Sequence, residues 1–186
     1  MAAQQKEAVD QFQGSEKQQE KDSAVSDFLT FSVDEELFAI EIMKVKEILE
    51  YSSLTSVPLM PPFIRGVINL RGSVVPVVDL KVRFGGDKNT PTKRTCFVIV
   101  EVPTDNGYQE IGILVDTVSE VLSISSDNVE PPPSFGAKIR ADFIQGMGKL
   151  NGSFVIILCV DKVLSVEELA DINGFVSQNS KVSANA

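Results

Sequence analysis

Apolar and polar residues alternate with a period of two in short runs along most of this chain, and sustained helical periodicity is nearly absent. That pattern predicts strands. FLTFSV (Phe28–Val33) reads as a half-buried strand, Asp34-Glu35-Glu36 as a turn and LFAIEI (37–42) as the returning strand. Met43–Leu49 carries both signals. Ile42, Val45, Ile48 and Leu49 have helical spacing, yet Val45–Ile48 could equally pair as a strand; the expectation is a short helical turn leading into a strand. Val57-Pro58 and Pro61-Pro62 then punctuate a loop. In FIRGVINLRGSVVPVVDL (Phe63–Leu80), two apolar runs flank an Arg71-Gly72 corner, where glycine supplies the positive φ that a tight hairpin turn needs. Pro76 lacks an N–H, so its strand should have a free side or a bulge. Asp79 is placed to cap a helical turn through Lys81 and Phe84, which Gly85-Gly86 stops. Further strands are predicted over Thr95–Val102, Gln109–Val115 and Thr117–Ile124. A second hairpin, Ile144–Leu150 with Phe154–Val160, turns at Asn151-Gly152, a preferred turn pair. From Asp161 onward a short helix is expected. Ser165 and Glu168 would form its capping box, Leu164, Leu169 and Ile172 would line one face, and it would end near Gly174.

The two glycine-cornered hairpins are copies. Shifted by 80 residues, Phe63, Ile64, Gly66, Leu70, Gly72, Ser73 and Val75 fall on Phe143, Ile144, Gly146, Leu150, Gly152, Ser153 and Val155, identical at each position. Shifted by 73, Val45, Glu47, Leu49 and Pro58 fall on Val118, Glu120, Leu122 and Pro131, with Ile48 over Val121. Two aligned blocks in one order indicate duplication of a small β unit. Each unit contains an opening hairpin, the Val-Lys-Glu-Ile type of segment and a glycine-cornered hairpin. Five short strands that hide their edges curl into a barrel. A unit of this size is marginal alone. The expected fold is therefore mainly β: two small five-stranded barrels related by internal duplication, interleaved and sharing a core, with a short C-terminal helix.

Composition sets the limits of this domain. Residues 1–26 are rich in Gln, Glu, Lys, Asp and Ser and read as a disordered tail, 27–175 as the folded domain and 176–186 as a flexible tail. Hydrophobic residues make up 43% of the chain, enough for a packed core. The net charge of −9 argues against nucleic-acid binding, which needs a basic face to displace counterions. No run approaches the ~20 apolar residues of a membrane-spanning helix, and the N-terminus lacks the apolar core of a secretion signal, so a soluble cytoplasmic protein without membrane insertion is expected. Cys96 and Cys159, each inside an apolar run, read as small buried hydrophobes in a reducing compartment.

The chain contains no histidine, which removes Ser-His and Cys-His nucleophile pairs and histidine-ligated zinc. Cysteine spacing for metal and glycine-rich phosphate loops are both missing. The carboxylates Glu41, Glu47, Asp79, Asp116, Glu120 and Asp161 lie at strand ends and turns, where Asp and Glu cap or face water, and no partner constellation turns them into acid–base pairs. No cofactor, metal or catalytic residue is expected. Arg71 is either a solvated turn residue or, beside an apolar groove, a protein-contact anchor with a planar donor fork.

The stretch FIRGVINLRGSVVPVVDL, preceded by IEIMKVKEI and followed by GILVDTVSEVL and DFIQGMGKL, closely resembles the CheW-like chemotaxis coupling proteins of bacteria over about Phe28–Leu169. The resemblance implies two SH3-like barrels and no enzymatic activity. It implies an adaptor that bridges the cytoplasmic tips of methyl-accepting chemoreceptors to the regulatory domain of the histidine kinase CheA in membrane-associated arrays, or serves a non-flagellar chemosensory pathway such as one driving pili. Carried over by motif, the receptor groove between the barrels would involve Val45, Glu47, Ile48, Arg71, Val118 and Val121. The kinase surface, at one end of the first barrel, would involve Tyr51, Val57, Pro58, Arg65 and Gly66; Gly66 and Val45 would also serve strand approach and core packing. The receiver domain that one variant of the family carries has no counterpart in this sequence.

Overall fold

In a computed structural model, described for residues 23–134 and 139–165, eleven strands form two sheets. In chain order they are β1 (Val25–Val33), β2 (Glu36–Glu41), β3 (Val45–Glu50), β4 (Ile64–Leu70), β5 (Ser73–Asp79), β6 (Cys96–Thr104), β7 (Gly107–Val115), β8 (Thr117–Ser125), β9 (Val129–Glu130), β10 (Ile144–Leu150) and β11 (Ser153–Leu158). Two one-turn helices, α1 (Leu80–Arg83) and α2 (Val160–Val163), follow the glycine-cornered hairpins. As expected, a 3-10 turn at Ile42–Lys44 leads into strand β3. The remainder of the C-terminal helix expected from the sequence lies outside the described residues.

The sheets do not follow the sequence repeat. One is ordered β8-β1-β2-β11-β10-β9 and the other β3-β6-β7-β5-β4. Each therefore takes its opening hairpin from the other half of the chain: β1-β2 joins the second half's strands and β6-β7 the first half's. The exchange happens where the chain crosses between sheets, at Ile42–Lys44 and at Asp116. In each sheet the exchanged hairpin meets a glycine-cornered hairpin in parallel, Phe38 opposite Ile156 and Gly112 opposite Val77. Each barrel closes where the chain beyond its end strand bends back: Thr55 exchanges two backbone hydrogen bonds with Val67, and β9 pairs with β10 at Met147 and Gly148. The repeated glycine permits that closure. A Cβ at Gly66 would stand 2.5 Å from the Thr55 carbonyl oxygen, and one at Gly146 2.5 Å from the Val129 side chain.

This interleaving explains why the apolar runs are dense on both strand faces. Along β6, Phe97 and Ile99 fill the first barrel with Ile68, Val75, Val77 and Leu114, while Val98, Val100 and Val102 point the other way. Along β1 and β2, Phe28 and Ala39 fill the second barrel with Ile124, Val155 and Ile157, while Leu29, Phe31, Phe38 and Ile40 point the other way. The outward sets meet in the largest core, between the barrels. FLTFSV is consequently not half-buried: Phe28, Leu29, Thr30 and Phe31 are all buried, and the one hydroxyl among them donates to the Glu120 carbonyl at 2.7 Å. β1 also begins at Val25, inside the stretch expected to be tail. Val25 and Ser26 are exposed but pair with Ser125 and Ile124, a backbone ladder that needs no apolar side chain.

Local chemistry fixes the corners. Arg71-Gly72 has φ of 51° and 90°, and Asn151-Gly152 47° and 84°, the doubly positive turn that matches strand twist. Asp34-Glu35 adopts the same turn without glycine, at 52° and 68°. Pro76 sits opposite Val67 of β4, one residue before the parallel pairing with β7 begins at Val77, so its missing N–H costs no ladder bond there.

Candidate functional site

The residues Val45, Glu47 and Ile48 lie on β3, and Val118 and Val121 on β8. These are the end strands of the two sheets, each hydrogen-bonded on one side, to β6 and β1 respectively. Val45 and Val118 both pack against the shared core, while Ile48 and Val121 are 43% and 51% exposed. Repeat-related positions thus have matching environments: one aliphatic side chain anchored, its neighbour three residues on facing solvent. A break in register occurs at the same place on each strand, between Val45 and Glu47 opposite β6 and between residues 118 and 121 opposite β1. Cys96 links the two walls. It pairs with Glu50 of β3, packs with Val118 against the shared core, and its thiol donates to the Arg94 carbonyl at 3.3 Å. Burial pushes that thiol's pKa up, so it is a poor nucleophile at this position.

Arg71 projects from the β4-β5 corner and is 77% exposed; its guanidinium donates to both carboxylate oxygens of Glu47, at 2.8 and 3.0 Å. The fork is held square to the carboxylate, a bidentate geometry that fixes the arginine at the edge of β3. Beside it, Lys46 donates to both Glu101 and Glu110, at 2.7 Å each, and these carboxylates raise the pKa of its ammonium. The rim around the β3 edge is therefore charged and internally paired, while the aliphatic positions lie open.

The second group of residues divides into two. Tyr51, Val57 and Pro58 lie on the segment after β3; Tyr51 packs against Phe97 with the rings tilted by 40° and their centroids 5.4 Å apart, and Pro58 is exposed. Arg65 and Gly66, on β4, have structural work to do. The Arg65 guanidinium donates to the Asp79 carboxylate at 3.3 Å and to the Asn89 carbonyl at 2.7 Å, and Gly66 is the barrel-closing glycine. Asp79 is fully buried; one of its oxygens caps α1 through the Lys81 and Val82 amides, and the other accepts from Arg65 and the Asn89 amide. The Asn89 side chain donates in turn to Asp116, whose other oxygen accepts from the Asp34 amide. This chain of bonds pins the 84–95 connection onto the crossing between sheets. Asn89 stands in a stretch that reads as a plain polar loop, and no local signal marks it. The repeat offers a contrast, since Cys159 holds the position of Asp79 and makes no capping bond.

Of the other candidate carboxylates, Glu41 accepts from Gln145 and Asp161 from Lys44, while Glu120 is tied to Thr30 through its backbone. Among the described residues no group of three or more His, Cys, Asp or Glu could hold a metal ion, and no helix is long and apolar enough to cross a membrane.

Residues 27–168 match the sequence profile of the CheW-like domain. The chain is 35% identical to the chemotaxis protein CheW of Klebsiella aerogenes over 144 residues, 77% of this chain and 84% of that protein. It is 32% identical to CheW of Rhizobium meliloti, covering 76% and 89%. The crystal structure of the scaffolding protein TtCheW from Thermoanaerobacter tengcongensis superposes with a TM-score of 0.70 at 36% identity, covering 78% of this chain and 96% of that one. This chain belongs to the CheW-like family. As a CheW-like protein it is a non-catalytic scaffold of chemotaxis signal transduction.

Proposed function

We propose that this chain couples chemoreceptors to the histidine kinase CheA, with the cytoplasmic tip of a receptor helical hairpin seated along the β3 and β8 edges and the kinase's regulatory domain at the end of the first barrel. The observation that carries the reading is the matched pair of edge strands. Ile48 and Val121 stand exposed at repeat-related positions, each beside an anchored valine. Exposed aliphatic side chains at equivalent places on both end strands offer apolar contacts that an amphipathic helix can bury. Arg71, held by Glu47, would fix the helix's register through its polar fork. Tyr51, Val57 and Pro58 would meet the kinase, with Arg65 and Gly66 shaping that surface from behind. In this role the protein is cytoplasmic, needs no cofactor and gathers at membrane-associated receptor arrays.

Co-sedimentation with receptor-containing membranes and CheA tests the proposal. Kinase should pellet with the membranes in proportion to added protein. Recruitment no greater than in its absence refutes the coupling role. Arg71→Glu should weaken receptor binding without altering the fold, because the side chain is largely in water; unchanged affinity removes Arg71 from the contact.

A further inference from the structure

Val25 stands at the root of the N-terminal segment, and its side chain is 63% exposed. Backbone pairing accounts for its place in β1 but not for an aliphatic side chain there. Val25, Asp27 and Leu29 lie opposite Ser125, Ser123 and Val121 of β8, with no break in register between them. Directly opposed residues of an antiparallel pair share a face, so Val25 is on the same face as Val121. Four residues of strand, about 13 Å, separate the two positions. The exposed aliphatic positions of the β8 edge therefore continue to the point where the N-terminal segment enters the fold.

That entry point is pinned. The Ala24 carbonyl accepts from the Ser126 amide at 2.9 Å, and the Ser23 hydroxyl donates to the Asp127 carboxylate. Residues 1–22 lie outside the described residues, but their sequence carries a pattern of its own. Ala2, Val9 and Phe12 recur at the intervals of one helix face, Glu7 and Asp10 fall on the other side, and Gly14 follows as a stop. No proline interrupts residues 2–13. So few apolar residues cannot hold a short helix by themselves; such a helix forms against an apolar surface. The tether has the right length to bring it to one. Residues 14–22 are nine positions without a large apolar side chain. An unstructured linker of nine residues has a root-mean-square span of about 15–18 Å, which matches the distance from the tail's root to Val121. At a matched span the effective concentration of a tethered segment is in the millimolar range, enough for two apolar anchors to compete.

We propose that residues 2–13 dock on their own chain as an amphipathic helix along the β8 edge, with Val9 and Phe12 against Val121 and Val25, and compete there with the receptor helix. The inference rests on the receptor-groove reading above and adds to it an autoinhibitory occupant. A site open for only part of the time binds its ligand more weakly by that fraction, so the tail lowers receptor affinity until it is displaced.

Val9→Glu and Phe12→Glu in the full chain test this from outside the barrels. In each variant the backbone amide resonances of Val25 and of residues 118–125 should move from their wild-type positions, independently of protein concentration. Affinity for receptor-containing membranes should rise by about two- to tenfold. Gln4→Glu adds the same charge away from the apolar face and should change neither. Unmoved β8 amides overturn the inference. Unchanged receptor affinity in Val9→Glu and Phe12→Glu also overturns it, while wild-type binding keeps the groove reading intact. Shifts that grow with protein concentration overturn it in favour of the tail of a second copy. If neither wild type nor variants bind receptor membranes, the groove reading falls and the competition falls with it.

Discussion

Replacing Asp79 by asparagine changes one oxygen to an NH2 at the most constrained polar position in the molecule. The carboxylate is fully buried and accepts four hydrogen bonds: Lys81 and Val82 amides on one oxygen at 3.1 and 3.4 Å, and the Arg65 guanidinium and Asn89 amide on the other at 3.3 and 3.2 Å. Asparagine can keep its oxygen toward α1 and so preserve the cap. Its NH2 then points at two donors. Losing a hydrogen bond to a charged group costs about 1.5–3 kcal/mol, and stranding a buried amide about 1–3 kcal/mol. Arg65 retains the Asn89 carbonyl and is 20% exposed to water, so the lower ends of these ranges apply to it. The expected destabilisation is about 2–3 kcal/mol for Asp79→Asn. Asp79→Ala also removes the cap, for about 1 kcal/mol more. For a domain of this size each kcal/mol lowers the melting point by about 2–4 °C. Urea denaturation followed by circular dichroism measures both variants, with Cys159→Ala as the repeat-related control, expected to cost less than Asp79→Asn because it breaks no capping bond. Asp79→Asn within about 0.5 kcal/mol of wild type would refute the account, and so would equal losses for asparagine and alanine.

Other outcomes follow from the same geometry. Gly66→Ala should destabilise the fold by more than Gly72→Ala, because the new methyl at Gly66 meets the Thr55 carbonyl at 2.5 Å whereas nothing lies within 4 Å at Gly72; urea midpoints decide. Ile48→Glu and Val121→Glu should each weaken receptor-membrane binding at least about tenfold, with melting temperatures near wild type, since both side chains are about half exposed. Lys46 is held protonated by Glu101 and Glu110, so its folded pKa lies above the ordinary 10.5. Its stabilising contribution is complete below that unfolded value and is lost only as pH rises through the higher folded one. The stability gap between wild type and Lys46→Gln should therefore stay flat from pH 7 to about 10, and a gap that shrinks over that range contradicts the pairing. Cys96, its thiol pKa raised by burial, should be alkylated at pH 8 more slowly than a free thiol peptide; equal rates by mass spectrometry would show that the inter-barrel wall opens readily.

Much of the site was legible from residues alone. The NLRG corner flagged Arg71, and the 73-residue shift placed Val45 over Val118 and Ile48 over Val121 as related positions. That Arg71 grips Glu47, 24 residues earlier, was not legible, because nothing local links a hairpin turn to a strand it does not pair with. Asn89 was missed for the same reason: its partners Asp79, Arg65 and Asp116 come from three separate elements.

The sequence by itself determined the strands, the turns and the duplication, because period-two patterning, Gly and Asp chemistry and residue identity are local properties. It also determined, through the surplus of Val, Ile and Leu on both faces, that two barrels must share a core. Only the tertiary structure decided which hairpin belongs to which barrel. The opening hairpins β1-β2 and β6-β7 carry similar apolar patterns, and either could complete either sheet by local criteria. The choice rests on where the chain crosses at Ile42–Lys44 and Asp116, and on the parallel pairing of β2 with β11 and β7 with β5. Exchange puts the apolar outer faces of both hairpins, Phe31, Phe38, Val100 and Ile111 among them, against each other instead of against water. That burial requires both halves at once and so cannot be read from either.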